Sequence, residues 1–227
     1  MKNSVTALVR MPVAGLRALL VLTLLTGVLY PLAVTGAAQT LFPGRANGSE
    51  ITVDGRVVGS RLIGQTYTLP PGEPGEPGKP GKAPAPDLRW FQPRPSHGLG
   101  TNSVNTRYRL LVSGATNRSA DSAELLRSVR EAKAAVVRDN STADHRIDPA
   151  DVPADAVTSS GSGLDPHISP AYARLQAHRV AERNHLGVVR VNRLIRDHTE
   201  GRTLGFIGEP RVNVLELNLA LAELTGD

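Results

Sequence analysis

Between Ala18 and Gly44 the chain carries no charged residue, a run of 27 positions, and mixed polar and apolar spacing appears only beyond it. The oiliest part, Ala18 to Ala38, has 21 residues, about 32 Å as a helix at ~1.5 Å per residue. A hydrocarbon core of about 30 Å is therefore crossed once. Each unpaired amide in lipid costs several kcal/mol, so a lone segment must cross as a helix. Pro31 lacks an N–H and clashes one turn back, which predicts a kink near Gly27–Pro31. Tyr30 lies too deep for a headgroup anchor and is expected to face protein.

The remaining pattern predicts short strands and amphipathic helices. Ile51–Val53 and Arg56–Val58 flank Asp54-Gly55, a hairpin signal because a type I′ turn needs positive φ at both centres. Gly59 to Gln65 reads as extended, and Arg107 to Val112 as a strand. Leu125, Val129, Ala132 and Val136 recur at helical spacing, with a start expected at Ser119–Asp121. Ser169 and Pro170 mark the next helix, running to about His185 and broken at Gly187. A further helix, Val188 to His198, should bury Val191, Leu194 and Ile195 and stop at Gly201. Near the C-terminus, Leu215, Leu217, Leu219 and Leu221 alternate like a strand, while Val214, Leu217, Leu221 and Leu224 repeat like a helix. Asn213 as cap and Gly226 as stop favour the helix. Together the elements predict an α+β chain, one transmembrane helix followed by a small mixed α/β domain. Its divisions are a basic leader (1–17), the span (18–40) and an outer domain (41–227). The Pro/Gly-rich stretch at 70–87 keeps a Gly-x-y period for barely four triplets, too short for collagen, and reads as a solvated, disordered insertion.

Charge orients the span. Lys2, Arg10 and Arg17 precede it and no acid occurs before Glu50, so the positive-inside tendency puts the N-terminus in the cytoplasm and the domain outside. Gly36-Ala37-Ala38 would suit a signal peptidase, but the apolar stretch exceeds the ~7–15 residues of a signal core, which favours a retained anchor. The pI near 10 suggests nucleic acid only superficially. Without those three leader residues, 23 basic residues face 21 acidic ones. Arg174, Arg179, Arg183, Arg190, Arg193 and Arg196 form one basic cluster, read as a solvated helix face rather than a nucleic-acid surface. The absence of cysteine excludes disulfides, thiolate metal sites and a cysteine nucleophile. Aromatics at 4%, with 22 glycines and 17 prolines, imply a loop-rich, modestly packed domain.

Signs of catalysis are sparse. No nucleophile elbow, dinucleotide fingerprint or P-loop occurs. His178, Glu182 and His185 share a helical face without a further ligand at suitable spacing, so surface polarity explains them better than a metal. Ser162, Asp165 and His167 leave open an anchored cell-envelope hydrolase, although a loop capping a helix accounts for them more simply. The stretch Thr158–Pro170, rich in glycine and serine, would let backbone amides approach an acidic side chain or phosphate at the following helix start, although a tight, well-capped loop accounts for it better.

Several segments then line up with one family. Leu24–Leu32, Phe42–Ser49, Gly59–Gln65, Phe91–Ser96, Ser113–Asn117, Ser160–Pro170 and Val212–Leu221 occur in the order seen in C subunits of the bacterial Kdp potassium-importing ATPase. The chain resembles that family from about residue 16 to 224, and the insertion at 70–87 departs from its shorter members. The resemblance implies a non-catalytic accessory subunit with no cofactor of its own, in a complex that uses ATP, Mg and K+. Its partners would be a channel-like A subunit, an ATP-hydrolysing B subunit, a small F peptide and membrane lipid. It also implies a catalytic chaperone raising the ATP affinity of the B subunit. Gln176, with Ser160, Gly161, Ser162 and Gly163, matches the family's proposed nucleotide contact. That contact conflicts with an outer location, because ATP is cytoplasmic.

Overall fold

A computed structural model describes residues 2–69, 85–96, 99–101, 109–111 and 113–226. They fall into two compact units, Met1–Glu50 and Ile51–Asp227.

The first unit is dominated by one unbroken helix, comprising α1 (Lys2–Leu24), a π-helical turn (Leu25–Leu29) and α2 (Tyr30–Leu41). It reaches back through the basic leader. Within it, Arg10–Leu41 is long and apolar enough to cross a membrane. The disturbance expected at Pro31 takes the form of the widened turn directly before it, where the Tyr30 N–H bonds the Leu25 carbonyl. Widening the turn relieves the crowding of a proline ring against the carbonyl one turn back. The hydroxyls of Thr26 and Thr40 donate to the carbonyls of Leu22 (2.7 Å) and Gly36 (2.9 Å), so neither is left unpaired in the apolar stretch. A short α3 (Pro43–Ala46) follows.

The second unit is α+β. The expected hairpin forms from β1 (Glu50–Val53) and β2 (Arg56–Ser60), with Asp54 at φ 49° and Gly55 at φ 75° in the turn. Arg61–Ile63 is a turn rather than the extended continuation expected, since the Ile63 N–H folds back to the Ser60 carbonyl. β3 (Leu99–Thr101) pairs antiparallel with β4 (Arg109–Leu111). The other residues of the strand expected at Arg107–Val112 lie outside the described residues, as do residues 70–84 of the insertion. Its last three residues are placed: Pro86 bridges Thr68, and Asp87 is buried.

Helix α4 (Ala123–Asn140) is capped by Ser122, one residue beyond the expected start. Its stripe faces inward most fully at Val136. Then come β5 (His167–Ile168), α5 (Pro170–Arg183), α6 (Val188–Asp197), β6 (Thr199–Glu200), β7 (Arg211–Asn213) and α7 (Val214–Thr225). Ser169 caps α5 as expected, accepting from the Tyr172 N–H at 3.0 Å. α6 closes on its cap residue His198, the end expected from the sequence, and the chain turns straight into β6 before Gly201. Asn213 caps α7, and Gly226 closes it in the left-handed conformation. The three short strands form an antiparallel sheet in the order β5-β7-β6, with Ile168 opposite Val212 and Thr199 opposite Val212. Ile168, Val180, Val191, Ile195, Leu217 and Leu221 join in one core where α5 packs on α6 and β7, and α7 on α6.

Candidate functional site: an internal strap and its glycine-serine loop

Leu88–Ser96 has no ladder partner in a sheet, yet it runs through the interior and its backbone must be satisfied. Side chains supply what a neighbouring strand would. Asn218 of α7 accepts from the Phe91 N–H at 2.9 Å and donates to the Phe91 carbonyl at 3.0 Å. Gln176 of α5 does the same for Gln92, accepting from its N–H at 2.7 Å and donating to its carbonyl at 3.0 Å. Two amide side chains thus grip consecutive peptide units, and Phe91 is driven wholly into the core.

Arg179, one turn on from Gln176, extends the grip. It donates to the Leu88 carbonyl, to the Trp90 carbonyl at 3.0 Å, to Asn140 Oδ1 at 2.9 Å and to Gln176 Oε1 at 2.7 Å. Its residue is 2% exposed, and burial pushes its guanidinium down to about 10, leaving it a cation at neutral pH. Its direct hydrogen-bond acceptors are carbonyl and amide oxygens, with Asp139 and Asp87 contributing at longer range. Asn184 takes the Arg89 carbonyl at 2.8 Å, and Asp87 holds Arg89 at 2.9 Å.

The strap's far end meets the glycine-serine loop. Arg94 Nη1 bonds Asp165 Oδ2 at 3.1 Å while the guanidinium also donates to the Thr158 carbonyl, and Ser96 Oγ donates to the Gly163 carbonyl. Asp165 also accepts from the His167 N–H at 3.0 Å and pairs with its Nδ1 at 3.1 Å. Burial pushes the Asp165 carboxyl up, but the His167 bonds and the Arg94 charge together outweigh it and hold it below the usual range. On the other side of the loop, the Gly64 N–H reaches the Leu164 carbonyl at 2.7 Å. A Cβ at Gly64 would stand 2.8 Å from the Asp165 carbonyl oxygen, so the close approach requires glycine. Asn213 bonds the Arg61 carbonyl at 2.9 Å, and Arg61 pairs with Glu216.

The residues singled out from the sequence are placed as follows. Gln176 is fully buried, with both lone pairs of its oxygen and one N–H committed inside the chain. Ser160 and Ser162 bond each other at 3.2 Å, and they accept from the Gly163 and Leu164 N–H groups at 3.0 and 3.2 Å. Gly161 is open to solvent, and Gly163 takes a positive φ of 68°. Asp165 and His167 come together, but no hydrogen bond joins Ser162 to His167, and nothing in the geometry supports the hydrolase alternative. His178 stacks on His145 with centroids 3.8 Å apart instead of converging with His185, which has left the helix at φ 54°. Of the basic cluster, Arg179 is a correction: it lies in the core, while Arg174, Arg183, Arg190, Arg193 and Arg196 are exposed. Asn218 was not anticipated. Its signal is legible, since a lone amide on a stripe with Val214, Leu217 and Leu221 needs a partner inside.

The segments around Gly59, Phe91, Ser160 and Val212 thus converge on one centre, and the described residues hold one membrane-length helix and one α+β unit. The sequence matches the family described as KdpC: K+-transporting ATPase, c chain, over residues 13–223. Among similar proteins is a potassium-transporting ATPase KdpC subunit of Streptomyces avermitilis, 68% identical over 99% of this chain and 98% of that one. Counterparts of the same description in Kineococcus radiotolerans and Mycobacterium tuberculosis are 47% and 43% identical, covering 97% and 92% of this chain and 97% and 96% of theirs. The chain belongs to the KdpC family.

Proposed function

We propose that this chain is the non-catalytic C subunit of an ATP-driven potassium-import complex. It would be anchored by its single apolar helix, with its α+β domain on the outer side of the cell membrane. The carrying observation is family membership across nearly the whole chain, together with one helix of membrane length. The three basic residues before that helix support a cytoplasmic N-terminus. The domain's polar centre supports a structural part, because its amides and charges are spent holding the strap and loop rather than facing a substrate. Assembly with channel-like A, ATP-hydrolysing B and small F partners follows from the resemblance. An effect on the ATP affinity of the B partner, on this reading, passes through contacts between subunits and not through Gln176.

Deletion of the gene in a cell depending on this pump tests the reading. ATP-driven potassium uptake at low external potassium should vanish and return when the chain is supplied again. Undiminished uptake in the deletion strain would overturn it. A reporter fused after Asp227 should be active outside the cytoplasm, and cytoplasmic activity would overturn the topology.

A further inference from the structure

Deep in the apolar span, one backbone acceptor has lost its donor. In a regular helix the Thr26 carbonyl takes the N–H of residue 30. The widened turn sends the Tyr30 N–H to the Leu25 carbonyl instead. The next N–H along the helix would belong to residue 31, and Pro31 has none. The Gly27 carbonyl is affected too, because residue 31 is its α-helical donor. Position 28 is the centre of Ala18–Ala38, so Thr26 lies about 3 Å from mid-span at ~1.5 Å per residue. Water is absent at that depth, and a bare acceptor there is costly. The surface beside it is open. Apart from the helix's own backbone, a Cβ at Gly27 would meet only Thr23 Cγ2, at 3.9 Å, so a neighbouring side chain can approach the backbone closely. Tyr30 stands one turn on from Thr26 and is 67% exposed, its phenol too deep for the headgroups.

We propose that this notch is where the helix docks against a membrane helix of another pump subunit, which donates a side-chain hydroxyl or amide hydrogen to the Thr26 carbonyl. The acceptor selects that partner. Lipid tails carry no donor, so a helix facing only lipid would leave the carbonyl bare. A second copy lying parallel at the same depth would set acceptor against acceptor, with its Thr26 hydroxyl already given to the Leu22 carbonyl at 2.7 Å. A helix of different sequence can place a serine, threonine, asparagine or glutamine at that level, the polar contact by which membrane helices hold one another. Pro31 and Gly27 act together: the proline frees the acceptor, and the glycine clears the way to it. This inference rests on the proposed subunit role and adds the contact through which the anchor joins the complex.

The test uses the full chain, tagged and purified in mild detergent from cells making the whole pump. Membrane insertion of each variant is checked by its resistance to alkaline extraction. Gly27→Leu fills the notch and should lower the co-purified pump subunits, identified by mass, by about tenfold or more. Pro31→Ala returns the missing N–H, so the acceptor no longer needs a partner, and recovery should fall by about threefold or more. That change favours the isolated helix, so it decides the matter should Gly27→Leu fail to insert. A photo-crosslinker at Tyr30 should label, in native membranes, a membrane segment of another pump subunit that carries a hydroxyl or amide side chain. A loss with Gly27→Leu alone would mean packing without the hydrogen bond and overturns the donor. Undiminished recovery of both variants, or crosslinks only to lipid or to a second copy, overturns the notch while leaving the subunit role intact. A wild-type chain that recovers no pump subunit overturns both.

Discussion

Replacing Gln176 with leucine keeps the approximate volume and deletes three hydrogen bonds, two to Gln92 and one from Arg179. Gln92 is half-buried, so water can partly repair its N–H and carbonyl, about 1 kcal/mol each. The Arg179 Nη2 donor is buried and charged, and stranding it costs about 1–3 kcal/mol. The expected loss is therefore about 3–5 kcal/mol. For a unit of this size, about 2–4 °C accompanies each kcal/mol, so the melting midpoint should fall by about 6–20 °C. Thermal unfolding of the full chain in detergent can be followed by fluorescence of Trp90, the single tryptophan, which sits in the strap. Gln176→Glu should fall between, because it keeps acceptors for Gln92 and Arg179 but loses the donor to the Gln92 carbonyl. An unchanged midpoint for Gln176→Leu, with altered ATP affinity of the assembled pump, would refute the internal clamp and restore a surface role for this side chain.

Two other outcomes follow from the same centre. Gly64→Ala pushes a Cβ against the Asp165 backbone and should cost about 1–3 kcal/mol, seen as a lower midpoint and a loop near Leu164 more open to protease. The Asp165 carboxyl is held below its unfolded value, so its contribution is present above the ordinary carboxylate range, near pH ~4, and is lost as pH falls through the folded value. Removing the charge with Arg94→Met should move the acid unfolding midpoint of Trp90 fluorescence upward; a midpoint that stays put would exclude Arg94 as a cause.

The helices were readable because each has a periodic apolar face and a chemical start or stop. Ser169-Pro170 and Asn213 announced α5 and α7, and Asp54-Gly55 announced the hairpin. The three-stranded sheet was not readable, since β5 and β6 have two residues each and β7 three, too few for a period of two to register. The strap escaped for a different reason. The groups that hold its backbone at Phe91 and Gln92 are side chains 84 to 127 residues away in sequence, so no local pattern marks it. The same distance explains Arg179: helical spacing groups it with exposed arginines, whereas the carbonyls of Leu88 and Trp90 and the side-chain oxygens of Asn140 and Gln176 account for its burial. The loop Ser160–Gly163 is docked by Ser96 and by the Gly114 N–H, which bonds the Ser162 carbonyl at 2.8 Å, and spacing in the sequence marks neither partner.

Because Asn218 closes the last grip on Phe91 across 127 positions, the polypeptide is incomplete in a specific way until α7 is made. A chain halted before Val214 has already produced Phe91, Trp90 and their carbonyls but lacks the amide and the leucines that receive them. Such a product would present an unsatisfied, oily seam to proteases and chaperones. Finished copies should therefore resist a protease that cuts abortive ones.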